Sequence, residues 1–206
     1  MHLLITAGGT REYIDPVRFI SNASSGRMGY ALARAAIKSG HTVTLVTAPV
    51  ALRAPKKATL VHVESAAEMF AAVKQHFDKT DCLIMAAAVA DYTPVKTAKR
   101  KIKKGDDTLT LNLKRTPDIL KWAGTHKKSG RTIVGFALED KDLRARAEKK
   151  LRDKKLDMII ANEPTVIASE RTTIHVKPAD GQWVTLNGSK TRVAARIISL
   201  IENSAG

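Results

Sequence analysis

The sequence predicts an α/β chain: a Rossmann-like, mostly parallel sheet wrapped by helices, with a C-terminal hairpin and helix. Three observations point there. Short apolar runs alternate with longer amphipathic ones in a β-α-β-α order, which builds a parallel sheet through right-handed crossovers. One of those runs, Cys82–Met85 continuing into Ala86-Ala87-Ala88, is apolar throughout, as a buried strand is. The alternation stops near the end, where two short strands flank Pro178-Ala179-Asp180-Gly181. With 206 residues, 44% of them hydrophobic, the chain suits one domain over 1–206 with a core of its own.

Each element follows from local chemistry. Leu3–Ala7 is a strand closed by Gly8-Gly9. Met28, Leu32, Ala35 and Ala36 have helical spacing, so Met28–Ser39 is a helix ended by Gly40. Thr42–Thr47 is a β-branched strand stopped by Pro49, and Leu60–Val63 is another strand. Ser65 caps a helix reaching about Phe77, with Glu68 three residues on for a capping box. After the strand from Cys82 comes a basic loop, expected to be a mobile flap at about 93–107. It turns at Gly105-Asp106-Asp107 into a strand at Leu109–Leu113. Pro117 is expected in the first turn of a helix. Thr132–Phe136 is a strand, and Glu139–Lys154 a long charged helix striped by Leu143, Ala147 and Leu151. Met158–Ala161 is a strand, Thr172–Val176 and Trp183–Leu186 form the hairpin, and Lys190–Ile201 is a helix packing Val193, Ile197 and Leu200 on one face.

Composition narrows the function classes. No apolar run approaches the roughly 18 residues a membrane span needs, and the amino terminus is too short and uncharged for a signal peptide. The single cysteine, Cys82, rules out an internal disulfide and fits a reducing cytoplasm. The six histidines are scattered with no ligand-like spacing, so no protein metal cage is expected. The formal net charge of +15 favours polyanionic partners: nucleic acid, acidic membrane or phosphorylated small molecules. Only 4% of residues are aromatic and the Lys96–Lys104 loop has none, whereas single-strand binders interleave stacking rings with charge. No specific nucleic-acid partner is expected.

Ligands of open parallel sheets collect at the carboxyl ends of the strands, so residues there are the candidates. Ser24-Ser25-Gly26-Arg27-Met28-Gly29 stands directly before a helix. It reads either as a phosphate cradle of backbone N–H groups or as a tight turn in which Gly29 permits close helix–sheet packing. A nicotinamide-dependent oxidoreductase is the rival phosphate binder. It needs an unbroken glycine fingerprint after the first strand and an acid ending the second. Here the insertion from Arg11 to Ala23 splits the glycines, and the second strand ends Val46-Thr47-Ala48-Pro49. No P-loop sequence occurs. Within the insertion, Arg18 and Asn22 suit a carboxylate or amide and share a face if the piece is helical. Asp91 follows a strand end and reads as a cap or a site residue. Lys99-Arg100-Lys101-Ile102-Lys103-Lys104 is a solvated run or a flap that brings ammonium groups onto a triphosphate. Lys150 and Lys154 lie four apart beside their helix's apolar stripe.

Eight segments in order resemble phosphopantothenate–cysteine ligase, the second enzyme domain of the bacterial bifunctional coenzyme A biosynthesis flavoprotein. They are Gly8-Gly9-Thr10-Arg11-Glu12, Asp15-Pro16-Val17-Arg18, Ser21-Asn22-Ala23-Ser24-Ser25-Gly26, Ala87-Ala88-Val89-Ala90-Asp91-Tyr92, Lys101-Ile102-Lys103-Lys104, Thr116-Pro117-Asp118-Ile119, Val134-Gly135-Phe136-Ala137 and Leu156-Asp157-Met158-Ile159-Ile160-Ala161-Asn162. The likeness runs from about Leu3 to Ile201. It implies a homodimer that joins L-cysteine to 4′-phosphopantothenate through an acyl-cytidylate, using CTP, with ATP the other possible nucleotide, and Mg2+ bridging the phosphates. It implies Lys101 on the flap for the first step, Asn22 handling the acyl-nucleotide, and Arg18 on the substrate side. It also implies nucleotide contacts from Met85, Ala86, Ala87, Asp91, Lys101, Pro117, Asp118, Ile119, Leu120, Phe136, Lys150 and Lys154, beside the Ser24, Ser25 and Gly26 cradle. Arg27 stands where lysine is common, and Asn162-Glu163-Pro164 replaces a more usual Asn-Asp pair, so no role is assigned to Glu163. The decarboxylase domain that often precedes this one is not in the sequence. No flavin site is therefore expected, and the chain reads as a free-standing ligase or as a fragment.

Overall fold

The computed structural model describes residues 1–105, 108–162 and 171–204. In chain order the elements are β1 (His2–Ala7), β2 (Arg11–Tyr13), β3 (Phe19–Ser21), α1 (Arg27–Lys38), β4 (Thr42–Thr47), β5 (Thr59–His62), α2 (Ala66–Phe77), β6 (Cys82–Met85), β7 (Tyr92–Pro94), β8 (Leu113–Arg115), α3 (Ile119–Thr125), β9 (Thr132–Leu138), α4 (Leu143–Asp153), β10 (Met158–Asn162), β11 (Arg171–Pro178), β12 (Val184–Ser189) and α5 (Lys190–Ser204). Eight strands form one sheet in the order β12-β11-β10-β9-β6-β1-β4-β5. From β10 to β5 all pairings are parallel, and β11 and β12 add to the edge antiparallel. The α/β class and the closing hairpin and helix are as the sequence predicts.

Strand residues alternate between two apolar layers. Leu3, Ile5, Val43, Leu45, Cys82, Ile84, Met158 and Ile160 face α1 and α5, whereas Leu4, Val46, Leu83, Ile133 and Ile159 face α2, α3 and α4. Because helices cover both faces, the strands are apolar at consecutive positions. Most of these side chains are wholly buried, each contributing about 1.5–3 kcal/mol relative to exposure. Cys82 is one of them, and burial, with lesser help from Asp157 and Asp81, pushes its thiol pKa up to about 12. It behaves as a small hydrophobe. Among the described residues no helix is long and apolar enough to cross a membrane.

Five sequence expectations are corrected. The insertion is not helical: β2 and β3 pair as an antiparallel hairpin, so Arg18 and Asn22 share no helix face. The strand expected at Leu109–Leu113 begins only at Leu113 and pairs with β7, which the sequence reading did not foresee. The ladder ends at Asn112, whose carbonyl takes the Val95 amide; beyond Val95 the segment after β7 turns away, and its Ala98 amide donates to the Ile14 carbonyl. Pro117 lies outside α3, because the Asp118 side chain caps that helix on the Lys121 amide at 2.9 Å. The charged helix starts at Leu143, since the Glu139 amide still extends the sheet toward the Asn162 carbonyl. Finally, Ser65 caps α2 on the Glu68 amide as expected, but the Glu68 carboxylate takes the amide of Glu64 rather than that of the cap. The turn expected at Gly105-Asp106-Asp107 falls partly outside the described residues, and Glu163-Pro164 lies wholly outside them.

Candidate functional site

The chain runs from β1 outward to β4 and β5, then returns to β6 on the other side of β1 before reaching β9 and β10. A crevice opens where the direction reverses, at the carboxyl ends of the strands. It holds a cavity of about 900 Å³, a size that suits a nucleotide or cofactor.

The start of α1 forms one wall. Gly26 precedes the helix at φ +70°, a conformation glycine adopts without strain, and no side chain caps the first amides. Gly29 approaches β1 so closely that a Cβ there would meet the Ala7 Cβ at 2.6 Å and the Thr6 carbonyl oxygen at 2.9 Å. The close-packing reading of Gly29 therefore holds, and the same helix end lines the cavity with Ser24, Ser25, Gly26 and Arg27.

The loop after β6 forms the floor. Met85, Ala86, Ala87 and Asp91 all line the cavity. Their backbone is tied down by side chains: the Ala87 amide donates to Thr6 Oγ1 (3.1 Å) and the Ala90 amide to Thr10 Oγ1 (2.9 Å). Thr116 Oγ1 donates to the Ala90 carbonyl (2.6 Å). Asn22 borders the cavity and donates its amide to the carbonyls of Val89 (3.1 Å) and Ala88 (3.4 Å).

The far wall combines Pro117, Asp118, Ile119 and Leu120 with Phe136, Lys150 and Lys154. Lys150 reaches in from α4 and donates to the Phe136 carbonyl at 2.7 Å. Burial lowers its pKa, and the like charge of Lys154 lowers it further, against the pull of Glu139, Asp118 and Asp91. Lys154 pairs with the Asp118 carboxylate at 2.9 Å. Burial alone would raise the Asp118 carboxyl, but the Lys121 amide and Lys154 hold it below its ordinary value. Neither lysine is the merely solvated charge that its spacing allowed.

Two predicted residues are not among the cavity's lining. Arg18 sits in the turn between β2 and β3, bound to Asp15 and to the Ile102 carbonyl (2.7 Å). Lys101 is exposed on the adjoining segment. Conversely, Glu139, Arg115, Thr172 and Lys190 line the cavity and were not anticipated as site residues. Glu139 directly follows β9, so the rule of strand ends reaches it once the helix is started later. Thr172 and Lys190 come from the antiparallel edge and α5, far along the chain and without a motif. Burial, and after it the charge of Arg27, lowers the Lys190 pKa.

A family model described as DNA/pantothenate metabolism flavoprotein C-terminal domain matches residues 1–204. The Coenzyme A biosynthesis bifunctional protein CoaBC of Bacillus subtilis (strain 168) is 52% identical over 163 residues, covering 79% of this chain and 40% of that protein. A crystal structure of the C-terminal domain of Coenzyme A biosynthesis bifunctional protein CoaBC has a TM-score of 0.85 at 42% identity, covering 98% of this chain and 93% of that one. A Cab2 mutant in complex with phosphopantothenate-cysteine shares the fold, with a TM-score of 0.83 at 18% identity over 98% of this chain and 87% of that one. The chain spans about half the length of the curated relatives it matches, 40% and 52% of the CoaBC proteins of Bacillus subtilis (strain 168) and Vibrio vulnificus (strain YJ016).

Proposed function

Because the chain belongs to the DNA/pantothenate metabolism flavoprotein C-terminal domain family, we propose that it is a phosphopantothenate–cysteine ligase of coenzyme A biosynthesis. One observation carries the reading. A cavity large enough for a nucleotide is lined by an uncapped helix start on one side and by the cations Lys150 and Lys154 on the other. That pairing of features suits a polyphosphate. The CoaBC likeness and the phosphopantothenate-cysteine bound by the Cab2 mutant supply the chemical class.

The reaction has two displacements. The carboxylate of 4′-phosphopantothenate attacks the α-phosphorus of CTP, the bond to the β-phosphate oxygen breaks, and pyrophosphate leaves. The amine of L-cysteine then attacks the acyl carbon, CMP departs, and the amine loses a proton. In-line displacement at phosphorus needs alignment and cations more than a nucleophilic side chain, which fits a site built from lysines, amides and loop backbone. We assign the helix start at Ser24, Ser25 and Gly26 to a phosphate, and the loop of Met85, Ala86 and Ala87 with Asp91 to the nucleotide. Pro117, Asp118, Ile119, Leu120, Phe136, Lys150 and Lys154 take the rest of it. Asn22, already spanning two carbonyls of the nucleotide loop, keeps its amide oxygen for the acyl-nucleotide. Lys101 serves the first step from outside the wall of its own chain's cavity, by movement of the 99–104 segment together with the hairpin that holds it or from a partner copy, and Arg18 serves the substrate side. No cluster of three or more His, Cys, Asp or Glu fit for a metal occurs among the described residues, so Mg2+ is assigned to the phosphates.

A homodimer is part of the proposal. Val17, Phe19, Tyr92, Val95, Leu109, Leu111 and Leu113 are exposed large hydrophobics, all on or beside the two small hairpins, whose β2 and β7 touch. An apolar face of this kind suits a second copy. We place the enzyme in the cytoplasm, where both substrates and a reduced cysteine belong.

Pyrophosphate release with 4′-phosphopantothenate and cysteine, run in parallel with each of the four nucleoside triphosphates, tests the reading. CTP should support the fastest release. No release with any nucleotide would refute it.

A further inference from the structure

The segment that carries Lys101 is fastened at both ends to the β2–β3 hairpin. At its start, Thr97 Oγ1 donates to the Tyr13 carbonyl (3.1 Å) and the Ala98 amide to the Ile14 carbonyl (2.9 Å). Four residues later, the Ile102 amide donates to Asp15 Oδ2 (3.1 Å), while Arg18 Nη2 donates to the Ile102 carbonyl (2.7 Å). Both backbone polar groups of Ile102 are thus gripped by side chains of one ion pair, where a neighbouring strand would ordinarily supply them. Only Lys99, Arg100 and Lys101 lie between the two anchors.

The pair itself is immobilised. Asp15 is wholly buried. Its Oδ1 accepts from the amides of Val17 and Arg18, each at 2.8 Å, and its Oδ2 accepts from Arg18 Nε (2.9 Å) and Nη2 (2.5 Å) as well as from Ile102. Every lone-pair direction of the carboxylate is in use, and Pro16 removes one backbone freedom from the turn that holds it.

We infer that Asp15 is a positioning residue: with Arg18 it clasps the Ile102 peptide and so fixes where Lys101 presents its ammonium group to the reacting phosphate. This rests on the ligase reading, in which Lys101 assists the first displacement. A second consequence concerns Arg18, which holds the flap as well as facing substrate.

Asp15→Ala and Ile102→Pro test the clasp from its two sides, with folding followed by circular dichroism. Ile102→Pro removes the amide donor to Asp15 but keeps both side chains of the pair, so it answers the question even where Asp15→Ala fails to fold. Misplacing a catalytic cation by about 1 Å costs up to roughly 100-fold in rate. Each folded variant should therefore lose roughly 10- to 100-fold in kcat for pyrophosphate release, with KM for the nucleotide held within about twofold. Combined with Lys101→Gln, neither should lose more than Lys101→Gln alone, since the residues act as one unit. A kcat near that of the parent, a loss confined to KM, or losses that multiply with Lys101→Gln would overturn the inference. Should the parent release no pyrophosphate with any nucleotide, the ligase reading falls instead. Amide exchange at Ile102 then judges the clasp alone: Asp15→Ala must speed it by about tenfold or more, because the anchor bond is gone, and an unchanged rate refutes it.

Discussion

At the amino ends of the parallel strands, charged residues are spent on the fold. Asp81 takes the His2 amide at 2.6 Å, and Asp157 takes the Ile133 amide at 2.7 Å together with Lys127 at 2.6 Å. Lys128 holds the Asp78 carboxyl below its ordinary value, and Arg131 lies over the Phe77 ring while donating to the Thr80 carbonyl. At the carboxyl ends the same residue types border a cavity of about 900 Å³. There Lys150 is buried against a carbonyl, and Arg27 and Lys190 bring two like charges to one wall. Lysine and aspartate at loop ends are therefore not diagnostic by type. What separates knitting from binding is whether the sheet's order of strands leaves a crevice at that edge.

The largest expected effect belongs to Lys101, the cation assigned to the developing phosphate charge. Lys101→Gln should lower kcat for pyrophosphate release by roughly 100- to 1,000-fold, as removal of one transition-state donor does. Thermal unfolding should be unaltered, since Lys101 is exposed. Full activity in that variant would remove the flap from the chemistry and blur the contrast between the two edges.

Lys150 sharpens the contrast through binding. Lys150→Met keeps the stem and removes the ammonium, so KM for the nucleotide should rise roughly 10- to 100-fold, the range of a lost hydrogen bond to a charged group. pH gives an independent reading. Burial sets the folded pKa of Lys150 below the unfolded value of 10.5. Between the two values the unfolded chain holds a proton that the folded chain has released, so stability gains as pH rises through that window. A bound triphosphate favours the ammonium and should weaken the gain, and Lys150→Met should abolish it. Parallel unfolding curves for parent and variant across the alkaline range would show that Lys150 is not buried as described.

Much of the sheet and its helices was legible because one local signal, the apolar period, repeats in each element. Thr42–Thr47 has the predicted bounds, and Ser65 caps its helix as expected. The small hairpins were not legible. β2, β3, β7 and β8 are three residues each, too short for a period to show, and β7 finds its partner β8 only some twenty positions on. The site divides the same way. Residues directly after strands or at the start of α1 were found by position. Thr172 and Lys190 were not, because the antiparallel edge brings them to the crevice without any motif. Arg18 and Lys101 stood out by residue type and position, their particular roles came through resemblance, and neither lines the cavity; the clasp between Asp15, Arg18 and Ile102 was not legible, since Asp15 and Ile102 are 87 positions apart.

The smallest effect on catalysis should come from the amino edge, which makes it the control for everything above. Asp157 joins β9 to the β10 side by accepting the Ile133 amide, and Ile133 is wholly buried. Asp157→Ala leaves that amide without its side-chain acceptor and releases Lys127. The cost should be about 1–3 kcal/mol, the penalty for stranding a buried donor. For a chain of this length, each kcal/mol lowers Tm by roughly 2–4 °C, so the loss is readable by calorimetry. Asp157→Asn retains an acceptor oxygen and should recover most of it. In both variants kcat/KM at 25 °C should stay within about twofold of the parent, because the bonds broken lie at the opposite ends of the strands from the cavity. A kinetic loss matching that of Lys150→Met, in protein shown to be folded, would mean that the edges are coupled through the strands and that the division between a knitted edge and a binding edge is false.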